Sequence, residues 1–196
     1  GNYAVVGEAD GSFLAYPQVG FSSSEIRRDL GTGWTDISGT LPEQVYSGTT
    51  GRFHPLDVMH DGSQYLFGGG SGKLYSSADL TNWTELPPGV SSPINEIRLI
   101  NGRYFVTTTG GLSYSDDLVN WTTVFSGGTS DVRGVGNYVV VAASQGRLWV
   151  SEDNGARFEG ANLPGTSSNS PAWEQVLEAF GQPVVRSGRI FMDFRP

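Results

Sequence analysis

The chain has 196 residues with 12 Lys or Arg against 20 Asp or Glu, a formal net charge of -8, no cysteine and 28 glycines. That balance disfavours nucleic acid as a partner, because phosphate binding needs clustered positive charge, and it leaves no disulfide framework or thiolate chemistry. No apolar run reaches the length of a membrane-spanning helix and no signal peptide is visible, so neither membrane insertion nor a processed leader is expected.

In chain order, GNYAVVGEADGSFLAY (1–16) reads as two short strands about a Gly turn, and it lines up with GNYVVVAASQGRLWVS (136–151). GFSSSEIRR (20–28) looks like an inserted loop before RRDLGTGWTDI, which places Asp29, Gly31 and Trp34. PEQVYSGTTGRFHP (42–55) is a second insertion and carries Tyr46, Arg52, Phe53 and His54. LDVMHDG (56–62) and GSQYLFGGGSGKLYSS (62–77) then give three strand-like runs separated by Gly turns, followed by Ser77, Asp79 and Trp83. NEIRLING (95–102) and GRYFVTTTGGLSYS (102–115) repeat that order and lead to Ser115, Asp117 and Trp121. SDVRGVGN (130–137) and the strands after it lead to Ser151, Asp153, Gly155 and Phe158. EQVLEAFG (174–181) and GQPVVRSGRIFMDF (181–194) form a fifth, worn copy.

The repeating unit is therefore four short strands, with an Asp turn between the third and the fourth. Runs such as Tyr104-Phe105-Val106 and Leu148-Trp149-Val150 read as half-buried strands. Units of about 40 residues with four strands each are propeller blades, and a ring of them buries faces that one blade cannot. The fold expected is an all-β propeller of about five four-stranded blades in a single domain, 1–196. The blades run approximately over 1–40, 41–88, 89–125, 126–165 and 166–196. On this count blade one starts at its second strand and blade five ends at its third, leaving an incomplete closing seam. The segment SPAWEQVLEAFG (170–181) carries helix start and stop signals yet aligns with the first strands. Strand and short helix both stay open for it.

The Ser-x-Asp-x-Gly-x-x-Trp pattern, met at 151–158 with Phe in the last place, resembles the Asp box, or BNR repeat, of sialidase-type propellers. The copies from Ser77 and Ser115 are one residue shorter, Ser-x-Asp-Leu-x-Asn-Trp, and are similar to turns of five-bladed arabinanase- and fructosidase-type glycosidases. The copy at Asp29 has Arg27 where the serine would stand. The resemblance implies turns on the rim opposite the usual active-site face. In them an Asp carboxylate accepts backbone N–H groups, and Trp or Phe packs between blades. It also implies that sialidase activity needs an arginine cluster, a Tyr–Glu pair and a Phe/Tyr-Arg-Ile-Pro segment before the first box. Nothing matching that segment precedes Asp29, and Phe194-Arg195-Pro196 lies at the other end of the chain.

The repeated acids outside these turns are Asp57, Glu96 and Asp131, with Gln175 in the fifth copy; each opens an inner strand. Carboxylates there could act as acid, base and helper in glycoside cleavage, hold a cation such as calcium, or cap backbone groups. Arg98 and Arg133 share one repeat position. No cofactor is expected, and two isolated histidines give no metal signature.

The first function expected is a non-catalytic binding or structural module, a virion (bacteriophage tail or capsid surface) or extracellular component that contacts protein or a surface glycan. A protein partner or a homo-oligomer would use the open seam. Ligand contact would use the 42–55 loop and the turns at 8–11, 68–72, 107–111 and 143–146. The alternative is a glycoside hydrolase, sialidase- or arabinanase-like, working through Asp57, Glu96 and Asp131. A third reading is an assembly factor of the photosystem type, whose propellers carry the same boxes on larger, seven-bladed rings.

Overall fold

A computed structural model of the chain describes residues 3–7, 13–17, 27–29, 31–40, 57–69, 72–87, 90–143, 147–162, 184–186 and 189–191. The 42–55 loop, the 170–181 segment and residues 20–26 of the first insertion lie outside the described residues. The strands are β1 (Tyr3–Gly7), β2 (Phe13–Pro17), β3 (Arg27–Asp29), β4 (Trp34–Asp36), β5 (Val58–His60), β6 (Tyr65–Gly68), β7 (Leu74–Ser77) and β8 (Thr84–Glu85). After them come β9 (Ile94–Ile100), β10 (Arg103–Thr108), β11 (Gly111–Ser115), β12 (Thr122–Ser126), β13 (Thr129–Val135), β14 (Tyr138–Ala143), β15 (Arg147–Ser151), β16 (Glu159–Asn162), β17 (Val184–Arg186) and β18 (Arg189–Phe191). They form four four-stranded sheets, β1–β4, β5–β8, β9–β12 and β13–β16, and one strand pair, β17–β18, each in sequential order. The only helical turn among the described residues is a 3-10 turn at Ser38–Thr40. The chain divides into two compact units, Gly1–Ile94 and Asn95–Pro196.

The first sheet departs from the strand count read in the sequence. Arg27–Asp29 is a strand, not part of an inserted loop: Phe13 pairs with Asp29 on one side, and Asp29 with Trp34 on the other. With β3 in place the first sheet has four strands, and Tyr3–Gly7 is its first strand, not its second. The sequence alignment hid this because the Asp turn follows the second strand of the first copy only after a long connection.

In the second, third and fourth sheets the inner strands are buried and the outer one is more exposed. The four residues of β6 are all buried, and so are the last four of β10 and the last five of β14. Both residues of β8 and all three of β4 are exposed. The middle strands are therefore covered on both faces, and this corrects the half-buried reading of Tyr104-Phe105-Val106: Phe105 and Val106 are each 0% exposed. A sheet with no solvent face selects continuous apolar runs such as Tyr-Leu-Phe and Val-Val-Val-Ala-Ala instead of alternation.

In the first unit, Val58, Tyr65, Phe67, Tyr75 and Leu80 make one cluster, with Ile37 and Trp83 against it. In the second unit, Ile100, Phe105 and Leu112 of the third sheet meet Val132, Val139 and Val141 of the fourth. Phe125 stacks on Trp149 with ring centroids 4.9 Å apart, a contact worth about 1 kcal/mol beyond its buried area. Gly155 fits between these sheets with φ of +79°, and a Cβ built on it would stand 2.4 Å from Phe105 Cζ. The turn thus needs glycine for its backbone angle and for the aromatic ring beside it.

Candidate functional site

Two sets of carboxylates were singled out by the sequence, and the structure gives them different surroundings. The first set sits in the turns between third and fourth strands. Asp79 Oδ1 accepts from Thr81 N and Asn82 N, each at 2.8 Å, and its Oδ2 accepts from Asn82 Nδ2 at 2.8 Å. Ser77 Oγ donates to the same carboxylate at 3.1 Å. Asp117 repeats the arrangement with Val119 N, Asn120 N, Asn120 Nδ2 and Ser115 Oγ. Asp153 takes Arg157 N at 2.9 Å and Ser151 Oγ at 2.8 Å, while Gly155 N donates to Ser151 Oγ at 2.8 Å. Asp29 takes Gly31 N and Gly33 N. These N–H groups have no ladder partner in a tight turn, so the carboxylate stands in for the missing carbonyls. The donors stabilise the ionised form: backbone Asn82 holds Asp79, and backbone Asn120 holds Asp117, well below the usual carboxylate range.

The shorter turns require a left-handed residue, and here it is leucine. Leu80 has φ of 62° and Leu118 of 61°. That backbone costs about 1–2 kcal/mol for an L-residue. Leu80 is 3% exposed and Leu118 6%, and burial of a leucine returns about 1.5–3 kcal/mol. The side chain anchors the turn in the core and outweighs the strain.

The aromatic residues that close these turns do not behave alike. Phe158 packs edge-on to Phe125 at 5.8 Å, bridging the third and fourth sheets, and Trp83 meets Phe67 at 5.8 Å. Trp121 is half-buried. Trp34 departs from the packing expected between blades: it is 46% exposed. It stands on β4, an outer strand exposed along its whole length.

The second set opens the inner strands. Asp57, Glu96 and Asp131 are 4%, 5% and 2% exposed. All three are thus buried. Asp57 belongs to the first unit, and its backbone carbonyl accepts Gly68 N at 3.0 Å. In the second unit the structure brings Glu96 and Asp131 together. Glu96 on β9 crosses to β13, where its Oε2 accepts Val132 N at 2.7 Å and its Oε1 accepts Arg133 Nη1 at 2.6 Å. Arg133 Nη1 also donates to Asp131 Oδ1, and Arg98 Nη2 meets Glu96 Oε1 at 2.5 Å.

The cluster holds two carboxylates and two guanidiniums joining the first strands of neighbouring sheets. Its signal was present in the sequence. Glu96 and Arg98, and again Asp131 and Arg133, stand two residues apart on one strand, which puts acid and base on one face. The readings of separate acids and separate arginines missed that they contact each other. Burial pushes the Glu96 carboxyl up to about 8; Arg98 opposes the rise, and Asp131, hydrogen-bonded to Glu96, adds to it. Asp131 Oδ2 is buried without a partner.

Among the described residues no group of three or more His, Cys, Asp or Glu is placed to hold a metal ion. Tyr46, Arg52, Phe53 and His54, assigned to ligand contact, lie outside the described residues. No helix among the described residues is long and apolar enough to cross a membrane.

No protein-family model and no curated protein matches the chain. Among solved structures, the chain is similar to the WD40 β-propeller domain of Doa1 (TM-score 0.54, 12% identity, 80% of this chain and 52% of that one). It is similar to YCF48 bound to D1 peptide (TM-score 0.51, 19% identity, 78% of this chain and 50% of that one). A further similar structure is the extracellular domain of a hybrid two-component system from B. thetaiotaomicron (TM-score 0.60, 13% identity, 86% of this chain and 23% of that one). The chain thus spans about half the length of the Doa1 and YCF48 structures. With its successive antiparallel four-stranded sheets, it has the β-propeller fold.

Proposed function

We propose that this β-propeller is a non-catalytic binding or structural module, a virion (phage tail or capsid surface) or other extracellular surface component that contacts protein or glycan. The observation that carries the reading is how the acids are used. The turn aspartates are engaged by their own backbone, and Glu96 and Asp131 are buried against Arg133 and Arg98. A glycosidase needs two carboxyl groups that flank a sugar held between them, whereas these serve turns and strand-to-strand contact. YCF48, with the same fold, is known bound to a peptide, which supports a protein ligand by analogy of fold alone. Contact is assigned to the 42–55 loop and to the turns at 8–11, 68–72, 107–111 and 143–146, because connecting loops are where ligands are met; within 107–111 the exposed residues are Thr109 and Gly110.

The test is a panel of glycans and peptides offered to the protein, scored both for binding and for cleavage. Binding without turnover, unchanged in Asp57→Asn, Glu96→Gln and Asp131→Asn proteins that remain folded, is the expected result. Sugar cleavage abolished by one of those replacements, with the fold intact, establishes the hydrolase instead.

A further inference from the structure

The chain places Asn before Gly twice within the described residues, at Asn101-Gly102 and Asn154-Gly155. A glycine after asparagine leaves the backbone amide open to attack on the side-chain amide, because no Cβ shields it. The two pairs are chemically the same and structurally opposite. Asn101 and Gly102 form the two-residue turn between β9 and β10, with φ of 50° and 78°, the backbone that favours Asn-Gly in a tight hairpin. Both are exposed, and a Cβ added at Gly102 would meet nothing within 4 Å. At the second site Gly155 is buried, its N–H is bonded to Ser151 Oγ at 2.8 Å, and the Phe105 ring covers it.

We propose that Asn101 is a site of spontaneous deamidation, and that the aspartate turn around Asn154 protects its own Asn-Gly pair from the same reaction. The Gly102 nitrogen, losing its proton to solvent base, attacks Asn101 Cγ. A bond forms between that nitrogen and Cγ, the Cγ–Nδ2 bond breaks, and Nδ2 leaves as ammonia after taking up a proton. Water then opens the resulting five-membered imide at either carbonyl, giving aspartate or isoaspartate at position 101. At Asn154 the attacking nitrogen is held by Ser151 and excluded from water, so the reaction waits on opening of the turn.

The product matters because of what Asn101 does. Its Nδ2 donates to the Gly136 carbonyl and to Asn154 Oδ1, the latter at 3.2 Å, joining the turns of the third and fourth sheets. Deamidation replaces this donor by a carboxylate. The bond to the Gly136 carbonyl is lost, and charge is set against the partial charge of its oxygen. The reaction is therefore an ageing step that loosens one end of the contact between two sheets.

The test is to hold the folded protein in mildly alkaline buffer and to follow the peptides containing residues 101 and 154 by mass and isoaspartate content. The expected result is a gain of about one dalton at position 101, accumulating at least about tenfold faster than at 154. Ser151→Ala is expected to raise the rate at 154 and to leave that at 101 unchanged. Asn101→Asp, made directly, is expected to lower the midpoint of thermal unfolding relative to wild type. Equal rates at the two sites, faster reaction at 154, or no reaction at 101 while a free peptide of the same sequence deamidates, would each overturn the proposal.

Discussion

At the residue scale the recurring aspartates are legible from sequence because their partners are local. Asp79 and Asp117 bond donors two and three residues ahead, so their spacing to Asn82 and Asn120 already contains the geometry. The left-handed leucines were not legible, since nothing in a Leu-Thr or Leu-Val pair announces a positive φ. These turns make an acid-stability prediction. Asp79 and Asp117 are held below their usual value of 3.8 in the folded chain. Between the unfolded and folded values the unfolded chain binds more protons. Their contribution is therefore complete above about pH 4 and is lost as the pH falls through the folded value. Asp79→Asn removes that titration but keeps one acceptor for the turn. Thermal unfolding followed from neutral pH down toward pH 2 should show a shallower acid decline in the Asp79→Asn protein, and shallower again in the double replacement with Asp117→Asn. Parallel decline in all three proteins would mean that these carboxylates do not govern acid stability.

At the element scale, strand existence follows from the apolar bursts and Gly turns, whereas β3 escaped because Arg27-Arg28-Asp29 carries no apolar residue at all. Its place is fixed by neighbours: Arg28 Nη2 donates to Tyr65 OH at 2.9 Å in the first unit, a tertiary contact that no local pattern encodes. The link between β9 and β13 has the same origin. Removing Glu96 would leave Arg133, Arg98 and Val132 N without their shared acceptor. Arg133 keeps Asp131 Oδ1, whereas the buried Val132 N loses its acceptor, and an unsatisfied buried donor costs about 1–3 kcal/mol. Glu96→Ala should therefore unfold at markedly lower denaturant than wild type. Glu96→Gln keeps the volume and should lose less. The two differ also in their dependence on pH. The Glu96 carboxyl is raised from 4.5 to about 8 by burial. Between those values the folded chain binds more protons than the unfolded one, and stability falls as the pH rises. Denaturation midpoints across that interval should decline in wild type and stay flatter in Glu96→Gln. A wild type that gains stability over the same interval would show that Arg98 and Arg133 keep Glu96 ionised.

At the scale of the whole molecule the repeat period discloses the fold, because each unit must bury both faces of its middle strands and can do so only against another unit. Among the described residues the last sheet is the two-stranded pair β17–β18, in which Val185 pairs with Ile190. A two-stranded ribbon with no further pairing is marginal in water, and an open sheet edge is a template for pairing with another chain. The homo-oligomer expected at the seam would pair this ribbon with a second copy of the chain. The expected outcome is a defined multimer by light scattering or sedimentation, present across a dilution series. Ile190→Pro removes a backbone donor from this pair and should shift the mass toward the monomer while the four-stranded sheets keep their far-ultraviolet signal. A wild-type protein that runs as a monomer at every concentration would mean that the edges are satisfied within one chain, and the partner assigned to the seam would have to be abandoned.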